Sequence, residues 1–151
     1  LVILRTFSKA WGLAGIRLGF CIANETIIDL LFKVKAPYNI SSLTRNAVLN
    51  AISNFRQKDI FVKELISERQ RVIDELNKIP QIQKVYDSDA NYILFRCSDA
   101  KQVQKKMAED GIVIRDRSSY EMLGNCLRVS IGTPEENDKF LNALNKLLCT
   151  K

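Results

Sequence analysis

Thr6-Phe7-Ser8-Lys9-Ala10-Trp11-Gly12-Leu13-Ala14-Gly15-Ile16-Arg17-Leu18-Gly19 is the stretch on which the reading of this chain turns. It continues a β-branched and aliphatic run over residues 2–7, the pattern of a strand buried on both faces. A lysine directly after such a strand is expected in low dielectric, where an ammonium must find a partner, lose its proton or react. The third course is chemically useful, because a neutral lysine amine attacks an aldehyde. Around Lys9 stand two hydroxyls, Thr6 and Ser8, and the Arg17 guanidinium, a group that takes phosphate oxygens in a bidentate fork. Gly12 and Gly15 let the backbone fold tightly between them. Nucleotide loops are spaced differently: there is no Gly-x-Gly-x-x-Gly, and this lysine precedes the glycines where a Walker lysine follows the last one. Taken singly, the same residues have plainer explanations, as a surface lysine, turn glycines and an ion-paired arginine.

Composition narrows the chemistry further. The 151 residues are 46% hydrophobic, enough for a packed core, and no apolar run is long enough to span a membrane. No basic-then-apolar leader is visible, so the default location is cytoplasmic. The chain opens on Leu1-Val2-Ile3-Leu4, which reads as domain interior, and the natural protein is expected to extend upstream. Histidine is absent, which removes histidine triads and the commonest metal ligand. The four cysteines are widely spaced, with no Cys-x-x-Cys pair, and suggest neither a zinc site nor a disulfide framework. The net charge of +6 is scattered among Glu and Asp along helical segments, with no basic stripe interleaved with aromatics, so small anionic ligands suit the chain better than nucleic acid.

Outward from the lysine stretch, residues 17–23 read as a second strand. Asn24 is placed to cap a helix that carries Ile27, Ile28, Leu31 and Val34 at helical spacing until Pro37. Helices are predicted over 42–53 and 57–79, the longer one ending before Pro80, with Lys63, Glu64, Glu68 and Arg71 on a solvated face. Beyond it strands alternate with helices: strands at 84–87, 92–96 and 112–115, a helix over 99–110 closed by Gly111, and a last strand at 127–131. Thr133-Pro134-Glu135-Glu136 then reads as a capping box with proline at the first helical position.

The lysine string resembles the cofactor-lysine signature of fold type I aminotransferases, in which Ser-Lys is followed by Gly-x-x-Gly-x-Arg-x-Gly. The likeness runs on through Val34-Lys35-Ala36-Pro37-Tyr38-Asn39-Ile40-Ser41-Ser42, Asn91-Tyr92-Ile93-Leu94-Phe95-Arg96, Gly111-Ile112-Val113-Ile114-Arg115-Asp116, and Cys126-Leu127-Arg128-Val129-Ser130-Ile131-Gly132-Thr133-Pro134-Glu135-Glu136. Of the family's branches, the histidinol-phosphate aminotransferases fit best. The resemblance implies an α/β chain: the end of the large pyridoxal-phosphate-binding domain over 1–55, a long connecting helix over 56–80, and the small carboxy-terminal α+β domain over 81–151.

The resemblance also implies roles. Lys9 would anchor pyridoxal 5'-phosphate covalently and act as acid and base at the substrate carbon, while Arg17 and Ser8, with Thr6, would bind the cofactor phosphate. Arg128 matches the arginine of a terminal Leu-Arg-x-x-x-Gly segment that grips the substrate's acidic group, and Arg115 matches a second substrate-side arginine. Either could instead be a strand-edge ion-pair residue. Asn91 and Tyr92 fall near the pocket by analogy, although Tyr92, in an apolar strand, reads as core. The implied reaction passes an amino group between L-histidinol phosphate and 2-oxoglutarate, in a homodimer. An aspartate at the pyridine nitrogen, a stacked aromatic ring, an asparagine and a tyrosine at the phenolic oxygen, and a glycine-led helix start all lie upstream of the lysine in such enzymes. The chain alone is therefore expected to bind cofactor weakly, to turn over poorly and to self-associate through the strand at 2–7. The competing expectations are an aromatic amino-acid aminotransferase, a phosphothreonine decarboxylase, or a catalytically silent interaction fragment.

Overall fold

The computed structural model describes residues 1–149. The chain divides into two compact units, Leu1–Val62 and a second beginning at Lys63, with the division falling inside one long helix.

In the first unit, β1 (Ile3–Thr6) pairs antiparallel with β2 (Gly19–Ile22), from Ile3 opposite Ile22 to Thr6 opposite Gly19. Gly19 is required there by space, because a Cβ on it would lie 2.7 Å from the Arg5 carbonyl oxygen. Helix α1 (Glu25–Val34) starts at Asn24, whose Oδ1 accepts from Ile27 N at 3.1 Å, as expected, and α2 (Ser42–Ser53) starts at Ser41, whose Oγ accepts from Thr44 N at 3.0 Å. Helix α3 (Phe55–Asn77) begins in this unit and continues into the second.

The expectation that the strand at 2–7 is buried on both faces is corrected. All four residues of β1 are exposed, Leu4 at 74%, and among the described residues its strand partner is β2 alone. Apolar composition states what a strand can bury; it does not supply the neighbours that would bury it. The same correction reaches Lys9, which is exposed, so the low-dielectric argument for its reactivity does not hold in this chain.

The second unit has a core. Strands β3 (Ile82–Val85), β4 (Tyr92–Cys97), β5 (Arg115–Asp116) and β6 (Cys126–Ser130) form a four-stranded sheet in the order β3-β4-β6-β5, antiparallel throughout. Burial alternates along β4, so Ile93, Phe95 and Cys97 turn into the core and Tyr92, Leu94 and Arg96 turn the other way. Val72 and Leu76 of α3, Val103 and Met107 of α4 (Ala100–Glu109), and Phe140, Leu141 and Leu144 of α5 (Pro134–Cys149) complete that core. Each such side chain stabilises the unit by about 1.5–3 kcal/mol through removal from water.

Two further expectations change. The strand predicted at 112–115 begins only at Arg115, because Ile112 N is spent closing α4 on the Met107 carbonyl at 2.8 Å. Glu68 and Arg71 do not lie on a solvated face. Arg71 Nη2 donates to Glu68 Oε2 at 2.7 Å and its Nη1 to Asp138 Oδ1 at 2.7 Å, while buried Asn137 donates from Nδ2 to the same Glu68 oxygen at 2.8 Å. These donors hold the Glu68 carboxyl below the usual carboxylate range, the Arg71 bond contributing most. Asn137 also grips the turn after β6, accepting from Gly132 N at 3.0 Å and donating to Gly132 O at 3.1 Å. The expected capping box forms beside it: Thr133 N donates to Glu136 Oε2 at 2.9 Å and Glu136 N to Thr133 Oγ1 at 3.3 Å.

Candidate functional site

The β1–β2 ribbon determines where the first group of candidate residues stands. Beyond the last register pair, Phe7 N donates to Leu18 O at 3.3 Å, and one step further along the two strands come Ser8 and Arg17. Thr6 Oγ1 donates to Ser8 Oγ at 2.8 Å and accepts from Ser8 N at 3.0 Å, so the two hydroxyls form one cluster at the strand end. The loop closes on itself: Gly12 N donates to Lys9 O at 2.9 Å and Leu13 N to Phe7 O at 3.0 Å. Gly12 lies at φ 66°, a left-handed conformation that costs glycine little. Beneath the loop, buried Phe7 packs against Trp11 and Phe20 with centroids 5.7 and 5.5 Å away, and Lys58 Nζ lies 5.3 Å from the Trp11 ring centroid.

Arg17 is held at φ 55°, where a non-glycine residue costs on the order of 1 kcal/mol, and its Nη1 donates to Ala14 O at 2.9 Å. Arg17 thus stands just beyond the end of one strand and the two hydroxyls at the end of its partner, with exposed Lys9 on the intervening loop. No carboxylate forms an ion pair with Lys9 or Arg17 among the described residues. The donor set is cationic and hydroxylic without an acid to neutralise it, which suits a phosphate group.

The second unit holds the other two candidates. Arg115 of β5 stands directly opposite Arg128 of β6, so both side chains leave the sheet on the same face. Like charges paired this way repel. Asp116, the carboxylate next in sequence, does not relieve them: it lies opposite Leu127 and accepts from Ser118 N and Oγ, bonds that hold its carboxyl below the usual range. Neither arginine makes an ion pair among the described residues. Arg128 also meets a ring: its Cζ lies 5.0 Å from the centroid of Tyr92, while its Nε is buried without a hydrogen-bond acceptor.

Tyr92 therefore differs from its expected role. It is half-buried on the face opposite the core, lining a cleft of about 560 Å³ with Tyr86, Asp87, Ser88, Asp89, Ala90 and Leu94. Lys84 and Arg96 flank the Tyr86 ring with Nζ 4.7 Å and Cζ 6.0 Å from its centroid. Basic and aromatic residues scattered along the chain thus gather on one face of the sheet, where the sequence order had hidden them. Their rings are engaged by cations of the same face. The signal that could have found Tyr92 is the alternation of Tyr92-Ile93-Leu94-Phe95-Arg96-Cys97, which sends positions 92, 94 and 96 away from the core.

Residues 1–144 match the family described as aminotransferase class I and II. The chain is 42% identical over 144 residues to the histidinol-phosphate aminotransferase of Cytophaga hutchinsonii, covering 95% of this chain and 41% of that protein. It is 45% identical over 148 residues to that of Thermoanaerobacter pseudethanolicus, covering 98% and 42%. Among solved structures, histidinol-phosphate aminotransferase from Clostridium acetobutylicum superposes with a TM-score of 0.90 at 29% identity, covering 99% of this chain and 46% of the other. L-threonine-O-3-phosphate decarboxylase from Porphyromonas gingivalis does so at 0.86 and 25%, covering 99% and 47%. The chain spans about two fifths of the length of the curated relatives it matches. Its mixed α/β architecture is that of the fold type I aminotransferases, and the chain belongs to the aminotransferase class I and II family.

Proposed function

We propose that this chain is the carboxy-terminal portion of a pyridoxal-phosphate-dependent histidinol-phosphate aminotransferase, which passes an amino group between L-histidinol phosphate and 2-oxoglutarate in histidine biosynthesis. In this reading residues 1–55 end the large cofactor domain, 56–80 connect, and 81–151 form the small domain. The observation that carries it is the loop at the end of the β1–β2 ribbon, where exposed Lys9 follows the Thr6–Ser8 hydroxyl cluster at the end of one strand and Arg17 leads into the other. Similarity to enzymes named for this reaction supports the choice of substrate.

Pyridoxal phosphate, when bound, supplies an electron sink for the carbon that gains or loses the amino group. The chain's own residues do the rest. Lys9 Nζ would hold the cofactor and would carry the proton that moves at the substrate carbon, acting as both base and acid. Arg17 binds the cofactor phosphate with Ser8 and Thr6. Arg128 and Arg115 orient the anionic groups of the two substrates, whose phosphate and carboxylates both suit a guanidinium. The enzyme works as a cytoplasmic homodimer. The chain alone binds cofactor weakly and has no useful turnover, and its exposed β1 edge favours self-association.

Assay of the full-length protein that carries this chain with histidinol phosphate, phenylalanine and threonine phosphate tests the reading. Transamination of histidinol phosphate ahead of phenylalanine is expected; decarboxylation of threonine phosphate as the fastest reaction would overturn it. Titration of the chain alone with pyridoxal phosphate should give no stable absorbance band, and a stable band with turnover would contradict the fragment reading.

A further inference from the structure

We propose that Tyr92 is a positioning residue that aims the Arg128 guanidinium through the face of its ring, an inference that rests on the reading of Arg128 as a substrate-anion residue. Arg128 lies between two neighbours of opposite effect. On β5 the directly opposed Arg115 repels it. On β4 the residue directly opposite is Leu94, and Tyr92, two positions along, places its ring centroid 5.0 Å from Arg128 Cζ. A diagonal cross-strand neighbour is within reach of a long side chain, and a ring face attracts a cation within roughly 6 Å.

The remaining contacts of Arg128 leave this role to the ring. Among the described residues it has no ion-pair partner, and its buried Nε has no acceptor. A carboxylate in place of the ring would hold Arg128 as firmly but would neutralise the charge that the substrate needs. An aromatic face fixes the direction of the guanidinium and leaves its charge and its outer N–H donors uncommitted. Ser88 contributes indirectly: its Oγ donates to the Tyr92 carbonyl at 2.6 Å, which ties the start of β4 to the preceding turn.

The test uses the full-length protein that carries this chain, with succinate as a non-reacting dicarboxylate probe followed by calorimetry, and KM and kcat measured with 2-oxoglutarate. Tyr92→Leu should raise the succinate Kd and the KM by roughly tenfold while kcat stays within about threefold. Tyr92→Phe, which keeps the ring face, should remain within about twofold of the parent in Kd. Pentafluorophenylalanine in place of Tyr92 reverses the ring's quadrupole at nearly constant shape, so it should weaken binding as Tyr92→Leu does even where the leucine variant folds poorly. In the background of Arg128→Gln, Tyr92→Leu should cause no further loss. If Arg128→Gln weakens succinate and neither Tyr92→Leu nor the fluorinated ring does, the positioning role is wrong and the reading of Arg128 stands. If Arg128→Gln leaves succinate binding unchanged, the reading of Arg128 fails and this inference with it. A Tyr92→Phe variant as weak as Tyr92→Leu, or additive losses in the double variant, would also overturn it.

Discussion

The β1–β2 ribbon and the β4–β6 pair are both antiparallel and both carry the cations of a candidate site, yet they are held in place by different means. In the sheet, Ile93, Phe95 and Leu127 are fully buried, so core packing on one face fixes the positions from which Arg128 and Arg115 leave the other. In the ribbon, Ile3 is 38% and Leu4 74% exposed, and the Lys9 loop keeps its shape through local bonds such as Leu13 N to Phe7 O at 3.0 Å and the Phe7 aromatic cluster. The shape of the loop in the first unit is thus a property of its own turns, and the placement of the arginines in the second a property of its core. Mutations should separate the two.

The largest effect is expected at the ribbon and on chemistry alone. Lys9→Ala in the full-length protein should lower turnover on the order of 10³-fold with little change in thermal midpoint, because Lys9 is exposed. Steady-state assay and calorimetry check both halves; turnover within tenfold of the parent would break the assignment. Next comes stability. Phe95→Ala should cost about 3–5 kcal/mol in urea unfolding, whereas Leu4→Ala in the chain alone should cost less than about 0.5 kcal/mol. Equal losses at the two positions would erase the contrast between ribbon and sheet.

How far this contrast was legible beforehand depends on the range of the interactions. The Lys9 loop, the Asn24 cap and the Thr133–Glu136 box were readable because their chemistry is local: donors and acceptors lie within a few residues, and only certain side chains satisfy them. The exposure of β1 was not, since a run of aliphatic residues does not say whether neighbours are present. Tyr92 could be placed on a face by alternation, but its contact with Arg128 depends on the register between two strands that are distant in sequence. Periodicity alone places Glu68 in solvent, because its partner Asn137 is 69 residues away and invisible to helical spacing.

That long-range contact gives a smaller, pH-dependent prediction. Glu68→Gln should destabilise the second unit by about 1–2 kcal/mol at neutral pH, the Arg71 partner being partly solvent-screened. Because folding lowers the Glu68 pKa, its contribution is fully present above the unfolded carboxylate value, about 4.3, and is lost as pH falls through the folded value. Parent and variant stabilities measured from pH 7 to 2 should therefore converge at the acid end; a constant gap would show that the charge is not responsible. The smallest expected effect returns to the ribbon: Gly12→Ala, forced to φ 66°, should cost about 1 kcal/mol and shift the loop with no change in the core of the second unit.

The central claim concerns a single nitrogen, Lys9 Nζ. Borohydride reduction of the full-length, coenzyme-loaded protein, followed by digestion and peptide mass spectrometry, should leave the pyridoxyl mass on the peptide containing Ser8-Lys9-Ala10. The same mass on a different lysine, with Lys9 unmodified, would contradict the account.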